Sequence, residues 1–319
     1  MKQVKPIRLV VQIPCLNEAD TLPLVLAKIP KHIEGVDSIV ILVIDDGSTD
    51  DTVAVARKHG VKDFVFHTQT QGLGRSFHDG VFYSLGIGAT IVVNTDGDNQ
   101  YPQEKIGDLV RPILEGRADI VVADRQTDTI SHFSPFKKLL QRVGSRVVNI
   151  AAGTNVNDAP SGFRAYSKES LLRLNTITRF SYTMETIIQA GNKGLCITSI
   201  PVTTNPKLRE SRLFRSTREH VQKSAVTIIR AYVMYKPHRV FGTLAISLFV
   251  LGLIPFGRFL LLSLDDRSTR GHIQSLIAGS TLMISAFLCV VLNIIADLIR
   301  INRILIEDSL EHTKRIRFE

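Results

Sequence analysis

Short apolar runs rich in β-branched residues recur along the first half of the chain, each cut off by a polar stretch. Residues 9–13, 38–44, 64–66, 90–93 and 120–123 each read as a buried strand. Helical patterns fill the intervals. One covers residues 20–29. A second is capped by Thr49-Asp50-Asp51-Thr52 and ends near Gly60. A third is opened by residues 71–75 and runs to about Leu85. A fourth is opened by Pro102, with Glu104 in its first turn. Strands alternating with helices at this spacing predict an α/β fold with a doubly wound, mostly parallel sheet. Residues 182–188 add a helix that ends at Gly191 or Gly194, and residues 197–202 a final strand interrupted by Pro201.

The pattern then changes scale. Between residues 219 and 235, Val221, Ala225, Ile228, Ile229 and Tyr232 recur at helical spacing, with Lys223 and Arg230 on the other side. This predicts an amphipathic helix lying in a membrane interface. Residues 240–264 and 273–299 are each long and apolar enough to span a bilayer. Arg258 sits near one end of the first, where it can snorkel, and Asp297 near the exit of the second. The polar turn 265–270 makes the two a helical hairpin. Lys236 and Arg239 precede it; Arg300, Arg303, Lys314, Arg315 and Arg317 follow it. The positive-inside rule therefore puts both termini in the cytoplasm. The opening residues have no signal-peptide core and run straight into a strand, so the first domain is expected to stay on that side. The expected division is a cytoplasmic domain over 1–215, an interfacial helix over 216–238, two spans within 239–300 and a basic tail over 301–319, in a multi-pass protein of the cell membrane.

Composition agrees with a membrane part. Hydrophobic residues make up 44% of the 319, and the formal net charge is +9. That excess suits anionic lipid or a phosphorylated substrate. No nucleic-acid motif accompanies it, so nucleic acid is not an expected partner. Cys15, Cys196 and Cys289 lie far apart without metal-ligand spacing, as expected of buried free thiols in a reducing compartment.

Chemistry gathers where strands end. Pro14-Cys15-Leu16-Asn17-Glu18, Asp45-Asp46-Gly47-Ser48, Gly72-Leu73-Gly74-Arg75, Asp96-Gly97-Asp98-Asn99-Gln100 and Asp124-Arg125 each follow a strand. Carboxyl ends of parallel strands share one edge, where ligands bind. Taken singly, the Asp-Asp-Gly-Ser run is equally a helix cap, the Gly72/Gly74 pair a turn, and Asp96-Gly97-Asp98 a polar turn. Together they make a nucleotide pocket: carboxylates for ribose or base, glycines for close backbone approach, Arg75 for phosphate. Two carboxylates one residue apart, with an amide at Gln100, are hard oxygen ligands suited to Mg2+ or Mn2+.

Pro14–Glu18, Asp45–Ser48, Asp96–Gln100 and Ser161-Gly162-Phe163-Arg164, in this order and spacing, resemble family 2 glycosyltransferases of the GT-A fold, and within them the polyprenyl-phosphate sugar transferases. The resemblance covers about residues 8–215, and the C-terminal hairpin extends it. The middle residue of the metal loop departs from the usual Asp-Ala-Asp, which leaves both carboxylates in place. The resemblance implies that Asp46 and Glu18 bind the donor nucleoside, that Asp96 lies against ribose and diphosphate, and that Asp98 and Gln100 hold the divalent metal. It also implies a nucleotide-sugar donor (UDP- or GDP-hexose), a polyprenyl phosphate acceptor and single displacement with inversion.

Two basic segments are candidates for the acceptor phosphate. Residues 131–152 carry Lys137, Lys138, Arg142 and Arg146, and residues 205–218 carry Lys207, Arg209, Arg212, Arg215 and Arg218. The first is a solvated helix face or a phosphate cradle; the second is a loop that orders on phosphate or a patch on anionic lipid. Arg125, Lys137 and Arg209 are the leading phosphate contacts, with Arg142 and Arg212 beside them. Arg164 is expected to pair with Asp158 or a phosphate. A phosphate nucleophile is already anionic and needs no strong base, whereas a hydroxyl acceptor would need one, for which Asp158 or Glu185 would be the candidate. A non-catalytic membrane scaffold is the remaining alternative, and the oligomeric state, a homo-oligomer included, stays open.

Overall fold

The computed structural model describes residues 6–127, 135–176, 182–206, 226, 229, 232–264 and 273–318. The chain divides into two compact units. One comprises Met1–Ile228 with Ser309–Glu319, the other Ile229–Asp308.

The first unit is built on a seven-stranded sheet in the order β3-β2-β1-β4-β6-β5-β7. The strands are β1 (Arg8–Cys15), β2 (Ser38–Asp45), β3 (Asp63–Phe66), β4 (Ile91–Asn94), β5 (Ile120–Asp124), β6 (Arg164–Ser167) and β7 (Ile197–Pro201). β1 lies between β2 and β4, parallel to both, in a register that places Cys15 opposite Asp45 and Gln12 opposite Asn94. β6 alone runs antiparallel, inserted between β4 and β5. The Ser161-Gly162-Phe163-Arg164 motif runs directly into this inner strand, which the sequence pattern did not predict. Four residues flanked by Pro160 and Gly162 are too few to show a period.

The interior parallel strands β1, β4 and β5 are buried on both faces, which is why their sequences are rich in continuous Val and Ile. Leu9, Val11 and Ile13 point into one layer with α1 (Leu22–Lys28) and α4 (Ile106–Leu114). The alternate residues Val10, Leu42, Ile44 and Val92 are equally buried, on the face of α3 (Leu73–Gly86). The unit also contains α2 (Thr52–Lys58), α5 (Pro135–Ala152), α6 (Lys168–Arg173) and α7 (Thr183–Asn192). α5 and α7 approach very closely: a Cβ on Gly191 would lie 2.2 Å from the Ala152 carbonyl oxygen.

The second unit contains α8 (Pro237–Leu264) and most of α9 (Ile273–Phe318). Both contain a stretch long and apolar enough to cross a membrane, and both turn large apolar side chains outward, among them Ile246, Leu261 and Phe287. They meet at glycines. A Cβ on Gly279 would lie 2.9 Å from the Phe256 nitrogen, and one on Gly252 would lie 3.2 Å from the Gly279 carbonyl oxygen. Small residues that let backbones touch are the usual device for joining helices in lipid. At the end of this unit Arg303 reaches the Glu307 carboxylate (2.6 Å) and the Tyr235 hydroxyl (3.1 Å).

α9 does not stop where the apolar run stops. It continues through residues 300–318, about 69 Å in all at ~1.5 Å per residue. The stretch expected as a basic tail is thus helical, and from Ser309 onward it belongs to the first unit. Lys314 is buried there and donates to the carbonyl of Leu174, the residue that ends α6, at 2.6 Å. Lys168 donates to the Phe318 carbonyl (2.7 Å), Arg315 pairs with Glu169, and the Phe318 ring meets Phe82 of α3 edge-on. Of the segment expected as an interfacial helix, only Val226, Ile229 and residues 232–238 lie within the described residues; all of these but Lys236 are helical.

Candidate active site

The register of the central strands brings three polar loops together at one edge. After β1 the chain turns at Asn17, which has positive φ (57°). Its side-chain oxygen accepts from Thr49 N at 2.7 Å, and its own N–H donates to Ser48 Oγ at 2.9 Å. The loops after β1 and β2 are thereby stitched. The Thr21 hydroxyl lies 2.8 Å from both Glu18 Oε2 and the Gly97 carbonyl, which ties the first loop to the loop after β4. Gly97 leaves this crossing uncrowded. A Cβ there would meet Glu18 Cγ at 3.1 Å and Cys15 Sγ at 3.2 Å, so the departure from Asp-Ala-Asp has a local steric reason.

Asp96 lies between these loops and the opposite wall. Desolvation pushes its carboxyl up to about 7, with the charge of Asp98 adding to the rise and Arg125 opposing it. Asp98 is held from the side by Gln100, whose backbone N–H reaches Oδ1 (3.0 Å) and whose side-chain amide reaches Oδ2 (2.6 Å). Gln100 therefore orients Asp98, and only its carbonyl oxygen is left to join a metal. Among the described residues no group of three His, Cys, Asp or Glu is arranged to hold a metal unaided. Crowded hard carboxylates without a full protein cage fit Mg2+ or Mn2+ shared with a substrate diphosphate.

The opposite wall is carried by β5 and β6. Arg125 grips Asp158 with its Nε on Oδ2 (2.6 Å) and its Nη2 on Oδ1 (2.8 Å). Burial works against the Arg125 charge, but Tyr101 and Asp158 more than restore it and hold the guanidinium protonated. Arg164, expected to pair with Asp158 or a phosphate, does neither. It is fully buried, and it donates to the carbonyls of Ser161 (2.7 Å), Ala159 (2.5 Å) and Thr183 (2.7 Å). It is the peg on which the 159–164 turn is folded.

Gly162 connects the two walls. Its N–H donates to the Tyr101 hydroxyl (2.9 Å), and its carbonyl accepts from the Tyr182 hydroxyl (2.9 Å) and the Asn94 amide (3.2 Å). A Cβ at Gly162 would lie 3.4 Å from both Asp96 oxygens. Tyr182 is stacked flat on Phe77 of α3, with centroids 4.0 Å apart.

At the far end, Asp46 follows β2 and accepts from the backbone N–H groups of Gln71 (2.8 Å) and Gly72 (2.9 Å) and from His67 Nδ1 (2.6 Å). Arg75, in the first turn of α3, pairs with Asp79 (2.7 Å) and is half-exposed.

The structure thus gathers Glu18, Asp96, Asp98 and Arg125 within one electrostatic field, with Asn17, Asp46, Gly72 and Arg75 along the same edge and Pro14 in the last turn of β1. Arg142 is exposed on α5. Arg209, Arg212 and the Lys137 side chain lie outside the described residues. Glu185 is buried on α7 beside Gln189. Of the cysteines, Cys15 and Cys289 are buried as expected, whereas Cys196 is exposed. Burial raises the Cys15 thiol well above its ordinary range, and Glu18 and Asp45 add to it, so it is no nucleophile. His67, Asn94, Tyr101 and Tyr182 were not singled out from sequence. Each acts through a fold contact many residues away and has no motif of its own.

Comparison with known proteins gives a consistent picture. The model of glycosyl transferase family 2 matches residues 10–174. The polyprenol monophosphomannose synthase of Mycolicibacterium smegmatis is 28% identical over 236 residues, covering 70% of this chain and 88% of its own. The undecaprenyl-phosphate mannosyltransferase of Micrococcus luteus is 27% identical over 217 residues, covering 65% and 87%. Among solved structures, glucosyl-3-phosphoglycerate synthase from Mycobacterium tuberculosis, in complex with Mn2+, UDP and glucosyl-3-phosphoglycerate, superposes with a TM-score of 0.52. It is 22% identical and covers 71% of this chain and 79% of its own.

Proposed function

The chain belongs to glycosyl transferase family 2 and is a glycosyltransferase, and on that basis we propose that it transfers a hexose from a nucleotide-sugar to a polyprenyl phosphate at the cytoplasmic face of a membrane. The observation that carries the acceptor is the buried Arg125–Asp158 pair beside Asp96. Both Asp158 oxygens are engaged by one guanidinium. An aspartate so held is a poor base for a hydroxyl acceptor, whereas the arginine it orients suits a nucleophile that arrives already anionic. The names of the two curated relatives favour the same acceptor class, and the two apolar helices supply a place for its lipid tail.

In this reading Asn17, Glu18, Asp46, Gly72 and Arg75 bind the donor, and Asp96 faces its ribose and diphosphate. Asp98, with the Gln100 side-chain carbonyl, would hold Mg2+ or Mn2+, which would supply positive charge to the donor diphosphate. Arg125 orients the acceptor phosphate for attack on the anomeric carbon from the side opposite the leaving group, which inverts its configuration. Arg209, Lys137, Arg142 and Arg212 complete the phosphate cradle from the two basic segments. The membrane arrangement has support from the C-terminal end. Residues from Ser309 onward dock on the same unit that the chain leaves near Ile228, so an even number of crossings between them keeps both termini on one side.

The test is to incubate the purified protein with labelled UDP- or GDP-hexoses, Mn2+ and undecaprenyl or dolichyl phosphate. The expected product is lipid-soluble and labile to mild acid. Transfer only to added hydroxyl acceptors would overturn the proposal.

A further inference from the structure

The donor loop says which of the two donor classes fits. Asp46, at the donor end of the site, is a carboxylate that the fold has nearly filled. An ionised carboxylate has about four acceptor sites, two on each oxygen. Oδ1 takes His67 Nδ1 at 2.6 Å and Gln71 N at 2.8 Å, and Oδ2 takes Gly72 N at 2.9 Å. One site remains, on Oδ2, and the side chain keeps a narrow exposed edge.

The filling is locked from behind. His67 Nε2 faces Asp79 Oδ2 at 3.2 Å, and Arg75 Nε holds that same oxygen at 2.7 Å. His67 N–H is bonded to the Asp45 carbonyl (2.9 Å). The loop that carries the two amides lies directly on Gly47, where a Cβ would meet Gln69 C and Thr70 N at 3.1 Å, and Gly47 has φ +82°. Freeing Oδ1 would mean turning His67 away from Asp79 as well as from Asp46.

Guanine and uracil ask different things of a carboxylate. The pairing edge of guanine presents two adjacent N–H donors, which a carboxylate satisfies with one site on each oxygen. Uracil presents a single N–H between two carbonyls. An Asp46 whose Oδ1 is full cannot make the two-oxygen contact but can accept one N–H on Oδ2. From this we infer that the donor is a uridine diphosphate sugar rather than a guanosine one, and that His67 is a specificity-determining residue because it occupies the second Oδ1 site. The inference rests on the reading above that Asp46 faces the donor nucleoside. A guanine forced into this site leaves one buried N–H unpaired, a loss that corresponds to a preference for UDP of about tenfold or more.

The test titrates the full-length protein in detergent with UDP and with GDP in the presence of Mn2+, by calorimetry. UDP is expected to bind at least about tenfold more tightly. GDP binding as tight as UDP, or tighter, overturns the base assignment and leaves sugar transfer standing; binding of neither removes the donor reading itself and the inference with it. His67→Leu opens the second Oδ1 site and is expected to narrow the UDP preference. His67→Asn, whose amide can donate from the position of Nδ1, is expected to keep it. Both variants are checked by thermal melting. An unchanged ratio in a folded His67→Leu protein overturns the role of His67.

Discussion

Arg125 closes on Asp158 across 33 residues of sequence, with two parallel hydrogen bonds of 2.6 and 2.8 Å and a third at 3.2 Å from the Arg125 backbone N–H to the same carboxylate. The pair joins the end of β5 to the turn before β6, and so fixes the shape of that wall of the site.

Removing one partner strands the other. Asp158→Ala is expected to lower stability by about 3 kcal/mol, because a largely buried guanidinium loses its counter-charge. Asp158→Asn keeps one acceptor and the shape, and is expected to retain measurable sugar transfer. A general base would behave differently, with transfer falling about 10²–10⁴-fold in a protein that still melts normally. Thermal melts and turnover on the two variants tell the cases apart.

Asp98→Ala is expected to abolish transfer, by at least about 100-fold, with an unchanged circular dichroism spectrum. EDTA should do the same to the wild type, and Mn2+ or Mg2+ should restore it. Wild-type-like turnover in Asp98→Ala would remove the metal role from this loop.

Gly191→Ala tests the packing behind the site. The added methyl would sit 2.2 Å from the Ala152 carbonyl oxygen, which is backbone and cannot swing aside. The expected cost is about 1–3 kcal/mol or more, read as a lower melting temperature. Gly144, on α5 with open space around it, is the control: Gly144→Ala should not destabilise.

A pH dependence follows from the docked end of α9. The hydrogen bond from Arg315 holds the Glu169 carboxyl below its ordinary value. Its folded value lies below the unfolded one, so the pair's contribution is present above the ordinary glutamate range, near pH 4.3, and is lost as pH falls through the folded value. The melting difference between wild type and Glu169→Gln should be constant at neutral pH and close as the medium is made acid. Glu169 is exposed, so the effect is small and should shrink further with salt.

The parallel strands were legible because each is a β-branched run long enough to show itself, and the polar groups at their ends follow from the direction in which parallel strands point. β6 was not, since Arg164–Ser167 has only four residues and becomes a strand by filling the gap between β4 and β5. The pairing expected of Arg164 with Asp158 failed for a related reason. The two are near in sequence, but Asp158 meets Arg125 at the end of β5, while Arg164 turns onto the carbonyls of Ala159, Ser161 and Thr183. The hydroxyls of Tyr101 and Tyr182 meet the N–H and the carbonyl of one residue, Gly162, a coincidence that only the folded sheet creates. The apolar run marked where α9 becomes membrane-like. Nothing in its composition marked that the helix would go on to cap α6, because a basic stretch reads the same whether its lysine is solvated or buried on carbonyls.

That last contact orders the making of the protein. A ribosome releases the strands of the sheet first, then the two apolar helices, and only afterwards residues 309–318. α6 is therefore synthesised well over a hundred residues ahead of the lysine that closes its end, Lys314. A nascent catalytic unit holds the carbonyls of Leu171 and Leu174 open to water until both apolar helices have been made. Completion of the enzyme's fold is in this way a late event, reached only by chains whose synthesis has passed the membrane-like segments.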